Sequence, residues 1–387
     1  MRSCTLDPRG LALSALAFAC LRCDATATAP AKTAVAQPNP PTQPDPPTQP
    51  DPPPQPDPLA IVDPPAPKLA PPAPPPVRLS PRAFVFARAV AKSHRIELFV
   101  PVAGGEPRKL GLRVDPEGGS VGVGQSEPAL AADGQQLAYL QGGKLGVRRL
   151  DGGEARVISQ QPARSVDTLI SGWSPDSQSL LYHLGQVDDM DGTELPKGVQ
   201  AGFYLARLPD WKVEPVVGLE AFDVWLPDSR QVLYQIDQGR STRLMRAALP
   251  DPKPELLQEL DVPYGFGQLT VHGDTIAYLR ATKIVRSKFD GTDLADITTD
   301  ASFAHYQWPR FAPDGARVAY VAKPDLEVHE LATGARQRLT TCATCRFGWE
   351  SATTLLVLEG GTLRRLALDG ADTPIASDVV GFYLAGA

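Results

Sequence analysis

One short phrase returns four times along this 387-residue chain, and it constrains the fold more than any single residue does. Trp173-Ser174-Pro175-Asp176-Ser177 leads into Leu180-Leu181-Tyr182, and Trp225-Leu226-Pro227-Asp228-Ser229 into Val232-Leu233-Tyr234. Phe311-Ala312-Pro313-Asp314-Gly315 leads into Val318-Ala319-Tyr320, and Leu130-Ala131-Ala132-Asp133-Gly134 into Leu137-Ala138-Tyr139. Each copy reads as strand, tight turn, strand. Pro presets φ, the Asp carboxylate accepts from its own turn, Gly or Ser tolerates the bend, and an apolar run resumes.

From Arg82 onward, short β-rich runs alternate with turn residues and nothing sustains a 3.6-residue period. A unit takes four strands. In the second unit these are 127–132, 136–141, 144–150 and 155–159, with Asp151-Gly152-Gly153 as a hairpin turn; Asp290-Gly291 and Asp369-Gly370 hold the same place later. Innermost strands are expected to begin near Glu127, Asp167, Ala221, Gly265, His305, Cys345 and Val379, spaced by about 40 residues, the length of one propeller blade. The first unit (83–87, 95–102, 108–113) lacks an inner strand, and 379–387 is an inner strand with nothing after it. Joining the two closes a ring without a ragged sheet edge. The expected fold is therefore all-β: a β-propeller of four-stranded blades, seven by this count with six as the alternative, closed by the C-terminal strand pairing with the first blade.

The aromatic-x-Pro-Asp-Ser/Gly turn followed by Leu-x-Tyr resembles the WD40-like repeat of TolB-type propellers, a family of bacterial envelope proteins, and the resemblance covers residues 82–387. It implies a fold more strongly than an activity, because such propellers serve as scaffolds, substrate gates and enzyme lids. TolB itself carries an α/β domain ahead of its propeller and binds a peptidoglycan-associated lipoprotein; this chain has a Pro-rich segment in that place.

That segment is set apart by composition. Of 41 prolines, 22 lie between Pro30 and Pro81, and the hexad Pro40-Pro41-Thr42-Gln43-Pro44-Asp45 returns at Pro46 to Asp51. Proline cannot donate to a ladder, so 20–81 reads as a disordered or polyproline II spacer; at about 3.1 Å per residue, ~50 residues reach on the order of 150 Å. A Pro-rich recognition tract is the other reading. Upstream, Arg2 and Arg9 precede an apolar run from Leu11 to Leu21, too short to span a bilayer and suited to a signal peptide over 1–19. Ala17-Phe18-Ala19 followed by Cys20 resembles a bacterial lipoprotein signal, which implies acylation at Cys20. The expectation is export, with periplasmic or outer-membrane-anchored residence, and plain secretion as the alternative.

Net charge is −6 with both signs interspersed, which argues against a nucleic-acid partner or an anionic membrane surface; membrane contact is expected only through an N-terminal lipid. Arg outnumbers Lys 27 to 11, and the single Asn, Asn39, precedes Pro40 and so forms no glycosylation acceptor.

Motifs with chemistry are few. Gly118-Gly119-Ser120-Val121-Gly122 has the spacing of a nucleophile elbow, but no helical pattern follows it, and a connector between blades is the plainer reading. Cys342 and Cys345 read as a structural disulfide between two blades, since an exported chain meets oxidising conditions and no helix is expected there to support thioredoxin-like chemistry. Asp188, Asp189, Asp191 and Glu194 form an acidic insertion that only begins a calcium pattern, because Val187 and Gly198 stand where ligands are needed; it is read as a partner-contact loop. The five His share no metal spacing. His305 and Tyr306 are candidates for one channel mouth, with Trp225, Trp308 and Trp349 either beside them or packed between blades. The repeated Asp residues are turn chemistry first. The expected function is a non-catalytic, monomeric, cofactor-free scaffold for another envelope protein. The alternative is a propeller hydrolase or lyase acting on glycans or peptides at the channel mouth.

Overall fold

The computed structural model describes residues 82–386 except for 92–94, 103, 115–126, 142–143, 154, 160–165, 187–199, 261–266, 300–304 and 343. The described strands form seven four-stranded antiparallel sheets, so the ring has seven blades and not six. Blade 1 comprises Phe84–Ala89, Ile96–Val100 and Arg108–Val114 together with the C-terminal strand Val379–Leu384, which pairs with Phe84–Ala89. Blades 2 to 7 follow in chain order over residues 129–157, 166–216, 224–260, 267–296, 306–341 and 346–376. No helix among the described residues is long and apolar enough to cross a membrane.

The apolar interior is divided into seven clusters, each shared by two consecutive blades. This explains the Leu-Ala-Tyr run physically. Side chains on a strand alternate between faces, and here both faces are covered. Leu137 and Tyr139 join the cluster with blade 1, while Ala138 and Leu140 join the cluster with blade 3. Val232 and Tyr234 likewise face blade 3 while Leu233 faces blade 5, and Ile276 and Tyr278 face blade 4 while Ala277 faces blade 6. A continuous apolar run is what a doubly covered strand requires.

The turns behave as the repeat predicts. Asp133, Asp176, Asp228 and Asp314 each accept the backbone N–H two residues on, at 2.8–3.0 Å. Gly134, Ser177, Ser229 and Gly315 all take left-handed φ values of 59–70°. The turns are also joined to each other: the Asp133 N–H donates to Ser177 Oγ, and the Asp176 N–H to Ser229 Oγ, both at 2.9 Å. Trp indoles add a second set of ties to the preceding blade. Trp173 donates to the Ala129 carbonyl, Trp225 to Gly172 and Trp349 to Arg310, at 2.9–3.2 Å. Trp225 and Trp349 thus pack between blades, whereas Trp308 remains exposed.

The inner strands Ala129–Leu130, Val166–Trp173, Val224–Trp225, Gly267–His272, Tyr306–Phe311, Arg346–Ser351 and Val379–Leu384 start at one face and run to turns at the other, Asp turns in blades 2 to 6. The face from which they start is the mouth face.

Candidate site at the channel mouth

At the mouth face the start of blade 7 reaches across blade 1 to blade 2. Both terminal nitrogens of the Arg346 guanidinium donate to the Glu127 carboxylate, a bidentate pair between residues 219 positions apart. The closing strand of blade 1 lies between these partners. Arg346 stacks over the rings of Phe382 and Tyr383, at 5.6 and 5.4 Å. At Gly381 an added Cβ would stand 3.1 Å from the Tyr383 hydroxyl and 4.0 Å from Arg346, so the missing side chain keeps the crossing open. Burial, followed by the nearby Glu127 charge, pushes the Tyr383 phenol well above its ordinary value, so it remains a protonated donor.

Arg310 belongs to the neighbouring inner strand and has a different environment. Its side chain is open to water, yet surrounding protein lowers its pKa, with the Arg346 charge as a second cause. No described residue gives the Arg310 guanidinium a hydrogen bond or an ion pair. Its backbone is fixed: the carbonyl accepts the Trp349 indole, and the strand is irregular between Gln307 and Arg310, where Trp308 takes φ +53° ahead of Pro309. Asp223, at the start of the blade 4 inner strand, is also open to water while burial raises its carboxyl pKa, against which hydrogen bonds from Gln235 act.

Of the residues singled out in the sequence, His305 is half-buried with its ring 4.6 Å from Tyr306, and Tyr306 is buried with its ring 5.9 Å from Tyr320. Cys342 and Cys345 are joined in a disulfide, both buried in the cluster shared by blades 6 and 7, directly before Arg346. Cys20, the Gly118–Gly122 motif and the acidic insertion Asp188, Asp189, Asp191 and Glu194 lie outside the described residues. The strand that leads into the insertion ends at the mouth face, where Gln186 pairs with Val166. No cluster of three or more metal-ligating side chains occurs among the described residues. A cavity of about 160 Å³ lies away from the axis on the outer strands of blade 3, lined by Phe203, Tyr204, Pro215 and Leu219 among others.

Arg310, Arg346 and Glu127 were not singled out in the sequence, yet one signal was present. The residue before the repeat aromatic is Gly172, Val224 and Gly348 in blades 3, 4 and 7, and Ala129 holds the same place before Leu130 in blade 2; Arg310 alone breaks this run of small or apolar residues.

No protein-family model and no curated protein matches the chain. Solved structures do. A prolyl endopeptidase structure aligns with 78% of this chain at 15% identity and TM-score 0.51, and the chain spans half of that protein's length. An oligogalacturonate lyase in complex with manganese aligns with 77% of this chain and 86% of its own at 14% identity and TM-score 0.49. TolB from Acinetobacter baumannii aligns with 80% of this chain and 68% of its own at 16% identity and TM-score 0.43. The likeness is one of fold, a propeller of the kind TolB also carries.

Proposed function

We propose that the chain is a non-catalytic, exported propeller that binds another protein of the bacterial envelope at its mouth face. The observation that carries this reading is Trp308 and Arg310 standing unburied on one inner strand whose backbone is fixed by Pro309 and the Trp349 indole. Trp, Tyr and Arg dominate the binding energy of protein interfaces, and anchors held on rigid elements lose little entropy on binding. Residues 1–19 would direct export and 20–81 would separate the propeller from an anchor at Cys20. The Cys342–Cys345 disulfide suits an oxidising compartment.

The test is capture from envelope extract by the intact mature protein, compared with Trp308→Ala. A reproducible partner lost in the variant supports the proposal; recovery of no protein by the wild type refutes it. Mass spectrometry of the mature N-terminus reads the acylation of Cys20 directly.

The convergence of Glu127, Arg346 and Tyr383 favours a second reading, an enzyme acting on glycans or peptides. That reading requires turnover of a polysaccharide or peptide panel that Tyr383→Phe abolishes. Against it, burial pushes the Tyr383 phenol well above its ordinary value, so it stays protonated and is not poised to exchange a proton near neutral pH.

A further inference from the structure

We propose that Arg286, His329 and Arg336, in the wedge between blades 5 and 6, form a receptor for a phosphate group. Two facing rows of side chains define the place. On blade 5, ladder pairing aligns Ala277, Arg286 and Ala295 across the second, third and outer strands. On blade 6 it aligns Val318, His329 and Arg336 across the same three strands. Ala277 and Val318 lie together in the apolar cluster that these blades share. Ile284 joins that cluster two residues before Arg286, and Val328 packs toward blade 7, so alternation along the strands turns both Arg286 and His329 into the wedge. The outer ends of the blades are tied, because Arg336 donates to the Ile297 carbonyl at 3.0 Å. The site lies away from the mouth: just beyond His329, the Leu331 N–H bonds the Ala316 carbonyl beside the Asp314 turn.

The wedge is cationic and lacks a counter-charge. Arg286 is half-buried between two alanines, and its guanidinium has no hydrogen bond or ion pair with any described residue. The four carboxylates on the six strands of these rows are engaged elsewhere. Asp296 pairs with Lys283, Asp325 with Arg338 and Glu330 with Arg317, while Glu327 accepts the Tyr320 hydroxyl, all at 2.8–3.4 Å. His329 is only 8% accessible. Its Nδ1 is buried with no hydrogen-bond partner, which leaves Nε2 as the ring nitrogen that a ligand can reach. Burial, then the charges of Arg336 and Arg286, lower the His329 pKa, so at neutral pH the ring is uncharged and has one N–H to donate. A phosphate monoester carries a charge of about −1.5 to −2 at pH 7, enough to match both guanidiniums, whereas a carboxylate neutralises one.

The experiment is isothermal titration calorimetry of the intact protein in phosphate-free buffer at constant ionic strength, with inorganic phosphate, glycerol phosphate and acetate as titrants. The expected result is saturable binding of phosphate at a single site, at least tenfold tighter than acetate. Binding should weaken at least tenfold in Arg286→Ala and in Arg336→Ala, while Arg246→Ala, whose guanidinium is paired with Glu255, retains it. Followed by NMR, the His329 ring signals, assigned by their loss in His329→Gln, should move on titration of the wild type and stay still in Arg286→Ala. Absence of saturable binding, acetate binding as tightly as phosphate, or an undiminished affinity in Arg286→Ala overturns the proposal. Unfolding midpoints establish that each variant is folded; should Arg286→Ala not fold, Arg286→Gln, which keeps much of the stem, is held to the same criterion. Glycerol phosphate binding within tenfold of inorganic phosphate, or tighter, assigns the site to phosphate esters; weaker binding than that assigns it to the free ion. The mouth-face reading is scored separately, by capture from envelope extract.

Discussion

Ser177 and Ser229 stand in left-handed backbone, at φ 61° and 59°, where blades 2 and 6 use Gly134 and Gly315. An L-residue gives up about 1–2 kcal/mol in that region. The hydroxyl offsets this by accepting the Asp N–H of the preceding turn, a bond of net value ~1 kcal/mol. Ser177→Gly should therefore leave stability nearly unchanged, and Ser177→Ala should lower it by about 1–2 kcal/mol, measured by urea unfolding. The reverse exchange is not equivalent. A Cβ at Gly315 would collide with the His272 ring, and one at Gly134 with the Ala83 Cβ, so Gly315→Ser should be more harmful than either change at 177. At position 223 the sign follows from a raised carboxyl pKa. Such a group favours the folded state fully below the unfolded-state value of about 3.9, and this contribution is lost as pH rises through the folded-state value. Asp223→Asn can still accept from Gln235, and it should raise the urea midpoint at neutral pH. The gain should vanish as pH falls below the ordinary carboxylate range. A variant equally stabilised at both pH extremes would show that charge is not the cause.

Each blade shares its interior with two neighbours, so an element is only as stable as the wedges on either side of it. Trp349 illustrates this: it is almost fully buried in the wedge between blades 6 and 7, and its indole N–H is bonded to blade 6. Trp349→Phe keeps most of the volume and loses the bond, a cost of about 1–2 kcal/mol; Trp349→Ala adds a cavity and should cost about 3–5 kcal/mol. In the same wedge, Cys342→Ser combined with Cys345→Ser opens a four-residue loop, for which chain entropy gives a loss of about 2 kcal/mol. Both costs are read from denaturation midpoints of oxidised protein. The elements themselves were largely legible. Turn chemistry is local, and two covered faces leave an uninterrupted apolar run, so the strand starts expected near Ala221, His305 and Cys345 fall at Val224, Tyr306 and Arg346. The inner strand of blade 2 is shorter than its pattern, reduced to Ala129–Leu130.

For the molecule as a whole, closure depends on one strand. Val379–Leu384 supplies the inner edge of blade 1, Ala385 donates to the Ala83 carbonyl at 2.9 Å, and the Arg82 N–H donates to Glu350 at 2.7 Å. Truncation after residue 378 would expose the partners of Phe382, Tyr383 and Leu384, each worth about 1.5–3 kcal/mol of burial. That sum approaches the ~5–15 kcal/mol stability of an ordinary domain, so the truncated protein should lose its cooperative transition or aggregate through the bared edge. A truncated chain with an unchanged midpoint would contradict this. Closure was readable because an unpaired strand at the end of the chain answered a missing one at the start. The mouth was not, since Glu127 and Arg346 lie on blades 2 and 7 and their pairing follows from the curvature of the ring.

The same closure bears on mechanical load. The chain enters the ring on Phe84–Ala89, which has Val379–Leu384 on one side and Ile96–Val100 on the other. A pull applied at residue 82 therefore acts on a strand bonded along both edges. An outer strand would unzip from a single neighbour, one bond at a time, whereas this one must break both of its ladders before the ring yields.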